Sequence, residues 1–120
     1  MKAKNAENYI FTMESFTESP DLYYWYMTDE GADGVKLSAI NPQQASYNWG
    51  TAELFSWKAY NGKEATGILY KPENFDPKKK YPMVVYFYEK LSDNLFDYNE
   101  PAPIRSAMNI PYFVSNGYLI

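Results

Sequence analysis

"YPMVVYFYEKLSDN", residues 81–94, decides how this chain is read. Seven residues, Pro82 to Tyr88, carry no charge, and then Glu89 and Lys90 open a polar run. Pro82 suits the first residue of a strand, because it has no N–H to give to a ladder. "MVVYFY" does not alternate polar with apolar, so a strand here is expected to be covered on both faces. That is the habit of a strand inside a parallel or mixed sheet flanked by helices. The strand would end on Tyr88, where the chain turns out into solvent. On physical grounds alone, Tyr88 reads as an aromatic closing off a core strand.

Working back from this stretch, "KPENFDPKKK", residues 71–80, is a charged crossover. Before it, "ELFSWKAY" (53–60) and "KEATGILY" (63–70) flank Asn61-Gly62. Asn-Gly between two strand-like runs is the strongest short hairpin signal, since a type I′ turn needs φ > 0 at both positions. A two-residue loop pairs Tyr60 with Lys63, which sets Phe55 opposite Ile68 and Leu54 opposite Leu69. Further back, "NYIFTM" (8–13), "LYYWYMT" (22–28) and "VKLSAI" (35–40) read as an antiparallel meander. "TESPD" (17–21) and "DEGADG" (29–34) supply its turns, and "NPQQASYNWG" (41–50) a polar linker. Working forward, "EKLSDNLFDYNEPAP" (89–103) is a long loop. Residues 104–116 hold one or two short helical turns, with Pro111 at a helix start and Gly117 at its end. "GYLI" then begins another buried strand.

Composition excludes several chemistries. The chain has 120 residues, 46% hydrophobic and 19% aromatic, enough to build a core. It has no cysteine, so no disulfide, thiolate nucleophile or zinc–thiolate site. It has no histidine, so the usual neutral-pH general base and the commonest metal ligand are both missing. A self-contained Ser–His–Asp or Cys–His enzyme is therefore excluded. The net charge is −4 and the basic residues are scattered, so no nucleic-acid partner is expected. No run of eighteen apolar residues exists, so no membrane span is expected. The N-terminus lacks an apolar signal core. That leaves open a periplasmic or secreted parent if the chain is a piece of one.

The remaining motifs have ordinary readings. "DEGADG" opens like a calcium loop, but Gly31 stands where a second oxygen ligand belongs and Ile40 where the bidentate glutamate belongs. It reads as a hairpin loop, and no metal or cofactor is expected. "KKK" at 78–80 is a solvated turn rather than a phosphate patch. Glu89 and Asp93 are close in sequence, but nothing fixes the separation a glycosidase pair requires. "YYWY" (23–26), Trp49 and Trp57 could form a sugar- or peptide-binding aromatic surface; burial in the sheets is the plainer reading.

Taken together, the segments resemble a known family. "ELFSWKAYNGKEATGILYKPENFDPKKKYPMVVYFYE" resembles the entrance to the catalytic domain of prolyl oligopeptidase-family serine peptidases, most of all their dipeptidyl-peptidase IV-like branch. "YIFTMESFTESPDLYYW" is similar to that family's last propeller blade, "LSAINPQ" to the exit from it, and "FVSNGYLI" to its first helix and next central strand. The resemblance implies a mostly β chain with a short α part. Residues 1–40 would be the last propeller-blade strands, 41–52 a linker, and 53–120 the N-terminal part of an incomplete α/β-hydrolase domain. The chain would then be a fragment. It would lack the family's Gly-x-Ser-x-Gly nucleophile elbow, its acid and its histidine, and would be inactive alone. The parent would hydrolyse peptides after proline or alanine near the N-terminus. One site residue carries over. In the family, the tyrosine ending this strand donates its hydroxyl to the tetrahedral intermediate, which implies that role for Tyr88. Apart from the parent's peptide substrate, the expected partner is another copy of the chain, through unpaired strand edges. The alternative is a small non-catalytic β-rich module that binds a peptide or partner.

Overall fold

The computed structural model describes residues 1–88, 90–103 and 105–120. The chain is mostly β, with two small antiparallel sheets and one short helix among the described residues. Strands β1 (Asn8–Ser15), β2 (Glu18–Thr28) and β3 (Gly31–Lys36) form the first sheet in the order β1-β2-β3. Strands β4 (Thr51–Lys58) and β5 (Glu64–Lys71) form the second, and helix α1 spans Ile110–Ser115.

The meander is present, but its turns lie elsewhere than expected. The β1–β2 turn is Phe16-Thr17, and Pro20 and Asp21 belong to β2. Pro20 is tolerated because the register slips between Met13 and Ser15, which makes a bulge where no ladder N–H is required. The β2–β3 turn is Asp29-Glu30, so the third strand begins at Gly31 and ends before Leu37. Its low-propensity residues are held by their neighbours. Trp25 lies over Gly34, its ring occupying the space where a Cβ would stand. The Tyr26 hydroxyl donates to Asp33 at 3.0 Å.

The second hairpin also forms, one residue out of the expected register. Leu54 faces Ile68, and Phe55 faces Gly67. The loop has three residues rather than two. The Gly62 N–H donates to the Ala59 carbonyl, the Ala59 N–H to Lys63, and Gly62 has φ +80°. This is a turn closed by a left-handed glycine, the usual three-residue hairpin. It puts Ala52, Ile68 and Tyr70 on the core face. Phe55 and Trp57, stacked at 6.1 Å, lie on the outer one.

The stretch that decides the fold behaves differently from its sequence. Only its first part pairs. Met83 bridges Leu119 in parallel, with Leu119 N–H donating to Pro82 and Val84 N–H to Leu119, both at 2.9 Å. Ile120 turns its backbone the other way and exchanges two hydrogen bonds with Tyr70 at 2.9 and 3.2 Å. The terminal segment therefore lies between β5 and residues 82–84. Among the described residues, the expected cover on both faces of 82–88 is absent. Val85 and Phe87 are 74% and 85% exposed, and among the described residues no backbone partner reaches Val85–Tyr88.

The core is small: Phe16, Tyr70, Ile110 and Val114, with Ala52, Ile68, Met108 and Ile120 packed against it. Phe16 comes from the first sheet's turn and packs 4.8 Å from Tyr70 and 6.3 Å from Trp49. Helix α1 starts where the sequence places it. Asn109 Oδ1 caps the Tyr112 N–H, Pro111 sits in the first turn, and Gly117 (φ +81°) ends it. The chain is expanded for its size. Its radius of gyration is 18.1 Å, against about 13.6 Å for a compact domain of this length. Its accessible surface is 9411 Å², against about 6,700 Å² for a compact monomer of this mass.

Candidate functional site

Tyr88 stands on a bend at the end of the unpaired stretch, 68% exposed. Its hydroxyl has no partner among the described residues. After it come Lys90, a 3-10 turn at Leu91–Asn94, and the loop leading to α1. Lys90 pairs with Asp93 at 2.9 Å on the surface. Of the two carboxylates considered together from the sequence, Asp93 is thus engaged by a lysine, and Glu89 lies outside the described residues.

The expected aromatic surface does not assemble. "YYWY" is split by the pleat: Tyr23 stacks with Phe11 on one face, Tyr24 with Tyr26 on the other. Trp57 stacks on Phe55 of the second hairpin, and Trp49 is buried against Phe16. The three segments face different neighbours, so they make no common platform.

Two polar constellations emerge that the sequence did not single out. The first centres on Asp21. Its carboxylate takes Lys36 Nζ at 2.7 Å, Ser38 Oγ–H at 2.6 Å and the Ile40 N–H at 3.0 Å. The hydrogen bond from Lys36, then those from Ser38 and Ile40, hold its pKa down to about 2. A serine, a carboxylate and a lysine in contact resemble a nucleophile with its helpers, but the chemistry fails. So weak a base cannot take a proton from a hydroxyl at neutral pH. Ser38 Oγ also accepts the Leu22 N–H at 2.8 Å. The cluster is a clamp fastening the exit of β3 to β2.

The second lies in the stretch read as a linker. Pro42–Ser46 forms a 3-10 turn that buries Gln44. The Gln44 amide reaches across to the β1–β2 turn, where Oε1 accepts the Ser19 N–H at 3.2 Å and Nε2 donates to the Thr17 carbonyl. Its own carbonyl accepts the Trp49 indole N–H at 3.1 Å. Trp49 then meets Tyr98 at 5.6 Å, and a cleft of ≈ 360 Å³ opens beside them, lined also by Asn41, Gln43, Tyr47 and Glu100. Burial, and then the charge of Glu100, push the Tyr98 phenol above its ordinary pKa. Burial also raises that of Tyr70. The sequence signal was the pair of aromatics flanking Asn48 in a supposed linker: an unfolded connector has no use for a tryptophan.

No family model matches the chain, and no solved structure matches it.

Proposed function

We propose that this chain is the junction piece of a serine peptidase of the prolyl oligopeptidase family, in its dipeptidyl-peptidase IV-like branch. On this reading the β1–β3 meander is the end of a propeller blade, and β4 onward is the entrance to an α/β-hydrolase domain. The observation that carries the reading is the strand order. Across the second sheet the segments run β4, β5, Tyr118–Ile120, Pro82–Val84. The parallel pair at its end is joined through α1, as a βαβ unit requires. A chance β-rich module has no need of a parallel crossover. The expanded surface also supports the reading, since the outer face of the hairpin and residues 85–88 are apolar and uncovered.

The mechanism proposed for the whole enzyme is acyl transfer through a serine nucleophile. In α/β-hydrolases the loop between the third strand and the first helix contributes to the oxyanion hole. Here the loop from Tyr88 to α1 occupies that place in chain order. Tyr88 would donate its hydroxyl to the oxyanion, gaining from charge that exists only in the transition state. This chain supplies that contact and framework. The nucleophile, acid, histidine and second donor would come from elsewhere in the enzyme. The test is the coding DNA beyond codon 120. A continuation, in frame or shifted, into a Gly-x-Ser-x-Gly segment is expected; a genuine stop followed by unrelated sequence overturns the reading and leaves the partner-binding module.

A further inference from the structure

We propose that the cleft beside Trp49 and Tyr98 binds a methylated or quaternary ammonium group. The proposal is independent of the peptidase reading. Three aromatic rings line the cleft: Tyr47, Trp49 and Tyr98. Trp49 and Tyr98 meet at 42°, making a corner rather than a closed stack. Trp49 is fixed before any ligand arrives, its N–H spent on the Gln44 carbonyl and its ring backed edge-on by Phe16. A ring held in this way loses little freedom on binding.

The electrostatics select the sign. Among the described residues, Glu100 is the one charged residue in the lining, no lysine or arginine lines the cleft, and Glu100 makes no ion pair. Burial and that same carboxylate keep the Tyr98 phenol protonated well beyond neutral pH. Aromatic faces and a carboxylate attract a cation and repel an anion. A methylated ammonium is weakly hydrated, so it loses less than a bare one on meeting the aromatic walls. A sugar is disfavoured because the Gln43 amide already donates to Asn41 Oδ1 at 3.2 Å. The volume of ≈ 360 Å³ falls at the low end of small-molecule sites, about 300–1,000 Å³.

The same group occurs on free choline-like molecules and on methylated lysine side chains, so the experiment has an arm for each. The purified chain is titrated with choline and with trimethyl-lysine amide while the Trp49 indole N–H resonance is followed. The neutral choline isostere 3,3-dimethylbutan-1-ol serves as control. Saturable shifts are expected with at least one cation, the tighter of the two identifying the source, and none with the isostere. Tyr98→Leu should weaken binding roughly 2- to 30-fold, the span of one cation–π contact. Should Tyr98→Leu fail to fold, the exposed Glu100→Gln change carries the test and should weaken binding with the fold intact. Equal binding of the isostere, no saturable shift with either cation, or unchanged affinity in a folded Glu100→Gln chain would overturn the proposal.

Discussion

Replacing Gly50 by alanine tests whether the chain entering β4 packs against the end of β5 and against α1 as described. Gly50 has φ +77°, and a Cβ there would lie 2.1 Å from the Lys71 carbonyl oxygen and 2.6 Å from Val114 Cγ1. Two costs add. The left-handed conformation costs an L-residue about 1–2 kcal/mol, partly offset by about 0.4–1 kcal/mol from the stiffer unfolded chain. Forcing a methyl against a backbone carbonyl and the most deeply buried side chain adds about 1–3 kcal/mol, because neither neighbour can swing aside. Gly62 provides the control: its φ is +80°, yet nothing lies within 4 Å of its would-be Cβ. Gly62→Ala should therefore cost about 1 kcal/mol and Gly50→Ala about 2–4 kcal/mol, or roughly 4 °C and 8–16 °C in Tm. Thermal melts of dilute protein, followed by near-ultraviolet circular dichroism, measure both. Equal losses for the two variants would refute the close approach of Gly50 to β5 and α1.

In a peptidase carrying this chain, Tyr88→Phe should lower kcat by about 10²–10³-fold with little change in KM, while Tyr86→Phe leaves turnover nearly intact. Normal turnover in Tyr88→Phe removes the oxyanion role. Asp21 has a depressed pKa, so the stability it contributes is present above about pH 4 and is lost as pH falls toward about 2. Acid titration of Asp21→Asn should show a shallower loss across that window, and parallel curves would contradict the clamp. The unpaired apolar run Val85–Tyr88 should drive self-association that rises with concentration in analytical ultracentrifugation. Phe87→Lys should suppress it; a parent chain that stays monomeric at high concentration would refute the exposed edge as a docking edge.

The strands could be read from the sequence because aromatic and β-branched runs report local preference, and α1 because Pro111 and Gly117 punctuate it. Register was harder. Asn61-Gly62 announces a hairpin, but whether the loop holds two residues or three depends on which of them turns left-handed, and here Gly62 closes the loop. "TESPD" carries turn residues, yet Asp21 is more valuable inside β2, where it can hold Lys36, Ser38 and Ile40. The Gly- and Asp-rich β3 has little intrinsic strand character and exists because β2 pairs with it and Trp25 covers Gly34. Burial of residues 82–88 could not be read at all, since cover is a property of the neighbours. The cleft was hidden for a related reason: Trp49 is held by the Gln44 carbonyl, while the Tyr98 N–H donates to Glu14 at 3.5 Å from far along the chain, a contact with no local signature.

Phe16 has a consequence in time. It leaves the ribosome early, on the first hairpin, but its pocket is completed by Ile110 and Val114, roughly 100 residues later. At about 5–20 residues per second, the ring waits about 5–20 s before the cover begun by Trp49 and Tyr70 can be completed. During that interval the first sheet can close its hydrogen bonds yet carries an apolar tip only partly capped. That is the interval in which a chaperone, or another nascent copy, would find it.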